Sequence, residues 1–298
     1  MLARPGLPSF KYVQAATAAE VHRFLQEGGA RLMMGGTDLF PQMREGVCEP
    51  EIIVDVKHVP GMRDLSCDQR VGLSIGAAVT MNQLVKHSDV QAHYPILAQA
   101  AQSVASYQLR NRATIGGNVC NASPCADTSP AVMVLEGVMV LQGEGWERKV
   151  PATGFFTGPG QTVIEPGEYL AAIRLPAPPA GAVGRYLKLG RSRLGDLSIV
   201  GVAVVGHPDP TAAFGYRFRI ALGSVAPIPL RAPAAEEILA ANRPGEETFA
   251  AAAEKAMEVA TPISDIRAGA TYQRMMVRAL TLRALREVWA ELVPGRGA

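Results

Sequence analysis

The chain has 298 residues, a net charge of +2, 48% hydrophobic residues and 19% charged residues. That length supports two or three subdomains with cores of their own, and the composition is that of a soluble globular protein rather than a disordered one. Near-neutral charge excludes a broad nucleic-acid surface, the apolar runs near Ile52 and Val200 are too short to span a membrane, and the opening MLARPGLPSFKYVQ lacks the apolar core of a signal peptide, so a cytoplasmic location is expected.

In chain order, Thr17 and Glu20 stand in capping-box spacing, Val21, Phe24 and Leu25 share one helical face, and Gly28-Gly29 ends the run. Residues 31–34 form a short apolar strand that enters a Gly35-Gly36 turn, a short helix runs to about Glu45, and residues 51–56 are a second strand. This βαβ-like start is smaller than a Rossmann unit. Residues 62–66 and 71–77 predict paired strands, and Thr80 caps a helix that contains Leu84 and Val85. An alanine-rich helix follows over 95–104, then a Gly- and Asn-rich stretch over 111–121. Residues 127–135 suit a buried helix, with strands over 138–142 and 168–175. A Pro- and Ala-rich linker at 176–181 places a boundary near residue 178. Beyond it come strands at 185–189, 197–205 and 217–224, then helices at about 234–239, 247–260 and 271–292. The pattern is α+β, a ligand domain followed by a smaller sheet-plus-helices domain.

Two glycine-rich turns could carry chemistry: Leu32, Met33, Met34, Gly35, Gly36, Thr37, Asp38 and Leu39; and Thr114, Ile115, Gly116, Gly117 and Asn118. Paired glycines let backbone N–H groups turn inward and approach an anion. The Thr37 and Thr114 hydroxyls and the Asn118 amide add neutral donors, and a helix start after Thr37 adds a positive dipole end. Two such turns could clasp a pyrophosphate, which suits a dinucleotide; they could also be tight turns without a ligand. Neither matches the dinucleotide fingerprint or the P-loop.

Asp127 is either the N-cap of the helix behind it or an acceptor for a ligand hydroxyl or ring N–H. Cys48, Cys67, Cys120 and Cys125 form no zinc or iron–sulfur pattern, although Cys120 and Cys125 could line a ligand. His22, His58, His87, His93 and His207 stand in no metal-type spacing, and His22 is expected on a surface helix. Lys188, Arg191 and Arg193 form a basic cluster that a solvated face would explain. No residue is assigned to acid–base catalysis or to a metal.

Together the two turns, with Asn121 to Pro124, Asp127 to Pro130, the Gly167-Glu168-Tyr169-Leu170 segment, and Tyr186-Leu187-Lys188 followed by Asp196, make the chain resemble the FAD-binding medium subunit of the molybdenum hydroxylases, the xanthine dehydrogenase and carbon monoxide dehydrogenase family. The resemblance covers nearly the whole chain. It implies a two-subdomain FAD-binding domain of the PCMH type over residues 1–177 (about 1–57 and 58–177) and a C-terminal domain over 178–298. It further implies that residues 32–39 and 114–118 hold the FAD pyrophosphate, that Val104 and Asp127 meet the cofactor, that Leu170 packs near the adenine, and that Lys188 lies near the flavin ring. Electrons would come from [2Fe–2S] clusters of a small partner subunit and leave to an external acceptor, a large partner would hold the molybdenum cofactor, and the assembly would be a dimer of heterotrimers. A free-standing FAD oxidoreductase is the alternative; it would need a substrate pocket and a base, and the sequence offers neither. The four-cysteine insertion of the aromatic acyl-CoA reductase branch is missing from the sequence.

Overall fold

The computed structural model describes residues 6–192 and 195–293. Its first unit is a parallel sheet of β1 (Lys11–Gln14), β2 (Ala30–Met33) and β3 (Ile52–Asp55) in the order β1-β3-β2, joined by helices α1 (Ala18–Glu27) and α2 (Leu39–Arg44). Strand β1 is not evident from the sequence because KYVQ is short and largely exposed; it is a strand because it pairs in register with Ile52 to Asp55. Thr17 caps α1 by accepting from the Glu20 N–H, while the Glu20 carboxylate accepts from the Ala16 N–H, one residue before the expected reciprocal donor.

A second, antiparallel sheet has the order β4-β5-β10-β6-β7, built from β4 (Leu65–Asp68), β5 (Gly72–Gly76), β6 (Val138–Gly143), β7 (Trp146–Pro151) and β10 (Tyr169–Pro176). Between β5 and β6 run α3 (Met81–Lys86), α4 (Ser88–His93), α5 (Pro95–Ser103), α6 (Tyr107–Arg110), α7 (Ile115–Cys120) and α8 (Thr128–Val134). Every residue of α8 is buried, as its apolar sequence requires. Thr80 and Gln83 form a full capping box at α3. Before β10 the chain makes a small hairpin, β8 (Phe156–Gly158) and β9 (Gln161–Thr162).

The last part is an antiparallel sheet, β11 (Val183–Leu189), β12 (Val200–Pro208), β13 (Tyr216–Gly223) and β14 (Leu230–Arg231), followed by α9 (Pro233–Ala241), α10 (Glu246–Glu258) and α11 (Ala270–Leu292). Strand side chains alternate between faces. Here Val200, Val202, Val204, Ile220 and Leu222 enter the core under α9–α11, while Tyr186, Ala203, Val205 and Ala221 join the core shared with α5 and α8. Because both faces of this sheet are buried, its strands read as near-continuous apolar runs and it is fixed against the first half of the chain. None of the described helices is long and apolar enough to cross a membrane.

A cleft between two glycine turns

The first two sheets and α7 enclose a cleft of about 800 Å³, within the usual range for small-molecule sites. One wall is the chain leaving β2. Leu32, Met33, Met34, Gly35, Gly36, Thr37, Asp38 and Leu39 all line it. Gly36 has φ +75°, the left-handed region where a side chain is strained. The N–H groups of Gly35, Gly36, Thr37, Asp38 and Leu39 have no acceptor among the described residues, and regular bonding resumes only with the Phe40 N–H on Gly36 O. A run of open donors beside a cavity is what an anionic group would satisfy. Asp38 is exposed as a whole, yet crowding pushes its carboxyl group above the usual range.

Opposite lies the second turn. A Cβ on Gly35 would meet the Arg112 carbonyl carbon at 3.0 Å and Ala113 Cα at 3.2 Å, with the carbonyl oxygen closer still. The two turns therefore touch backbone to backbone, and only glycine allows it. Thr114, Gly117 and Asn118 line the cleft; Ile115 and Gly116 do not. Of residues 114–118, expected to act as one anion cradle, three therefore reach the cleft. The N–H groups of Ile115 and Gly116 are bonded to Val79 O and Ala77 O, and a Cβ on Gly116 would lie 2.5 Å from Ala77 O, so Gly116 seats α7 on the chain leaving β5. The Gly117 N–H is taken by the Thr114 hydroxyl at 3.1 Å. What this turn offers the cleft is side chains. Asn118 Oδ1 accepts from Thr128 at 2.6 Å, which leaves its NH₂ as a free donor.

Val104 lines the cleft beside Ala105, which holds a positive φ of 42°. Arg110 pins both: its buried guanidinium donates to Val104 O at 2.9 Å and Ala105 O at 3.1 Å, and its Nε to Asn82 at 3.2 Å. Sequence reading missed Arg110, because an arginine on a short helix looks solvated. Leu170, buried on β10, lines the far end with Tyr169 and Glu168. Glu168 is gripped by Arg148, which holds its carboxyl group below the usual range. The β8–β9 hairpin adds Thr157, Gly160, Gln161 and Thr162, residues whose only sequence signal is the turn-forming Gly158-Pro159-Gly160.

Asp127 lines the cleft but does not cap α8: its backbone is already helical and its carboxylate makes no cap bond. Instead it accepts from the Tyr186 hydroxyl at 2.8 Å and the Lys188 ammonium at 2.7 Å. Burial raises its pKa, against the opposing pull of Lys188 and Tyr186. Lys188 therefore stands behind Asp127, also donating to Ser103 O at 2.9 Å, and is not part of the cleft wall. Its two bonds and small exposure set aside the solvated-face alternative for Lys188. Arg191 is exposed and pairs with Asp196, and Arg193 lies outside the described residues. Gly195, Asp196 and Leu197 of the loop beyond line the cleft. Cys120 and Cys125 also line it; burial pushes the Cys120 thiol to about 12, and Cys125 accepts from Arg267 at 2.8 Å. His22 is not at the surface: it is buried, with Nδ1 3.1 Å from Gly167 O, and its ring lies against Tyr169.

Residues 8–178 match the family model "FAD binding domain in molybdopterin dehydrogenase", and residues 185–288 match "CO dehydrogenase flavoprotein C-terminal domain". The carbon monoxide dehydrogenase medium chain of Hydrogenophaga pseudoflava is 34% identical over 285 residues, covering 95% of this chain and 98% of that one. The xanthine dehydrogenase FAD-binding subunit of Escherichia coli O157:H7 is 32% identical over 282 residues, covering 94% and 96%. A solved structure of Hydrogenophaga pseudoflava carbon monoxide dehydrogenase superposes with a TM-score of 0.91 at 35% identity, covering 96% of this chain and 99% of the other. The chain belongs to the family of FAD-binding subunits of the molybdenum hydroxylases, the family of the carbon monoxide dehydrogenase medium chains.

Proposed function

We propose that the chain is the electron-transfer subunit of a molybdenum-dependent hydroxylase or dehydrogenase, receiving electrons from the [2Fe–2S] clusters of a small partner and delivering them to an external acceptor. The observation that carries this reading is the cleft itself: five successive open N–H groups at Gly35 to Leu39 line the same cavity as the Thr114 hydroxyl and the free Asn118 amide. Those donors fit the pyrophosphate of FAD, and a cleft of about 800 Å³ that includes Leu170, Val104 and Asp127 in its wall has room for a dinucleotide. Bound flavin supplies the redox chemistry; the protein supplies binding and electrostatics.

In this reading Leu32 to Leu39, Thr114, Gly117 and Asn118 hold the diphosphate. Tyr169 and Leu170 pack against the adenine end, and Val104 and Asp127 bound the ring end. Ile115 and Gly116 act by seating α7, and Lys188 acts through Asp127. Residues 1–177, with parts of about 1–57 and 58–177, form the FAD-binding domain and residues 178–298 the C-terminal one; the two family matches, which end at 178 and begin at 185, support that division. The partners are a large molybdenum-cofactor subunit and a small iron–sulfur subunit, assembled as a dimer of heterotrimers in the cytoplasm. The relatives named medium chains support the partner reading.

Native purification of a tagged chain tests it. The expected result is a yellow complex with FAD, molybdenum and iron, and two co-purifying subunits. A chain that purifies alone, and whose flavin a small organic substrate reduces directly, overturns it.

A further inference from the structure

Among the groups around the cleft, Tyr186, beside Lys188, has a placement that the cofactor-binding reading does not use. Tyr186 and Lys188 stand two residues apart on β11, so both side chains leave the same face of that strand. That face is turned toward α5 and α8, away from the core beneath α9–α11, into which Leu187 and Leu189 pack. From there Tyr186 donates to Asp127 Oδ1 and Lys188 to Oδ2. The same ammonium holds Ser103 O, next to Val104 in the cleft wall. Across the ladder, Gly201 pairs with Lys188, and a Cβ there would lie 2.8 Å from the Tyr186 hydroxyl. The hydroxyl thus has a space of its own, kept open by a glycine on the neighbouring strand.

We infer that Tyr186 is a positioning residue for Asp127: with Lys188 it fixes both carboxylate oxygens from the C-terminal sheet, so that a cofactor in the cleft meets an aligned carboxylate. The inference rests on the reading of Asp127 as a cofactor contact. A carboxylate has about four lone-pair sites, and two are taken here, so acceptor capacity remains for the cleft. Tyr186 and Lys188 are the ionisable groups that bond Asp127 among the described residues; α5 contributes no charge here, only the Ser103 carbonyl to Lys188 and, to Tyr186, the Gln99 amide and the Ser103 hydroxyl. Without the hydroxyl, the buried carboxylate has one donor fewer to offset its desolvation and takes up a proton more readily as pH falls. The C-terminal domain then has a part in cofactor retention although its own core never touches the cleft.

The test uses FAD added to the flavin-free full-length chain, with the dissociation constant read from flavin fluorescence across a range of pH. Tyr186→Phe keeps the ring, and Gly201→Ala crowds the hydroxyl without altering any polar group. Both are expected to weaken FAD binding, Tyr186→Phe by about tenfold, the worth of a hydrogen bond to a charged group, and increasingly so toward acid. In an Asp127→Asn background Tyr186→Phe is expected to add nothing. If Asp127→Asn weakens binding while Tyr186→Phe and Gly201→Ala do not, the positioning role is overturned and the cofactor contact stands. If the effects of Tyr186→Phe and Asp127→Asn simply add, Tyr186 does not act through Asp127. Unchanged binding in Asp127→Asn removes the cofactor contact itself, and the inference with it.

Discussion

Replacing Gly35 by alanine puts one methyl group at the contact that joins the two turns. The new Cβ would meet the Arg112 carbonyl carbon at 3.0 Å and Ala113 Cα at 3.2 Å, where ordinary contacts lie at 3.4–4 Å, and the carbonyl oxygen would be nearer than either. All three atoms are backbone, so no side chain can rotate away; the turns must separate by several tenths of an ångström or more. Overpacking of this kind costs about 1–3 kcal/mol. The same displacement draws the open N–H groups of residues 35–39 away from Thr114 and Asn118, so two losses are expected together. Flavin content of the purified variant, from absorbance against protein, should fall well below stoichiometric. The melting temperature of the flavin-free chain should drop by several degrees, since 1 kcal/mol corresponds to roughly 2–4 °C in a chain of about this size. Full flavin content with an unchanged melting temperature would refute the claim that the turns are in direct backbone contact.

Gly117→Val should separate those two effects: its Cβ meets only the Thr114 hydroxyl at 2.9 Å and otherwise projects into the cleft, so flavin content falls while the melting temperature of the flavin-free chain hardly moves. Equal loss of both would show that Gly117 is a packing position like Gly116. Asp127→Ala leaves the largely covered Lys188 ammonium without its carboxylate, a loss that costs up to about 3–5 kcal/mol for a fully buried pair and less here; thermal melts should show a drop, and an unchanged melt would mean that the pair is solvated in solution. Glu168 has a folded pKa below its ordinary 4.5 because Arg148 grips it, so its stabilising contribution is complete above 4.5 and is lost as pH falls through the lower folded value. Glu168→Gln should therefore flatten the acid limb of the stability profile, and urea titrations at descending pH that show equal slopes for both proteins would contradict this.

Much of the secondary structure is legible from local chemistry. The Thr80 cap, the mostly apolar α8 and the Gly35-Gly36 break after β2 each follow from residues within one turn of the feature. Strand β1 is not, because KYVQ becomes a strand only by pairing with residues some forty positions later. The glycines divide the same way. A Gly-Gly pair announces a close approach, but the sequence does not say to what. Gly35 approaches the other turn, Gly116 approaches Ala77, and Gly117 faces the cleft.

The sequence by itself determined which segments form the two turns, the apolar elements that carry them and the family to which the combination belongs, since each of these depends on neighbours along the chain. Only the tertiary structure decided that the first turn keeps its N–H groups open while the second has spent those of Ile115 to Asn118, that His22 is buried, and that Asp127 is bonded to Tyr186 and Lys188 rather than capping its helix. The reason is that a polar group's role depends on which partner reaches it first. Those partners, on the chain leaving β5, on and just before β10, and on β11, come from distant parts of the chain that meet only when the sheets pack.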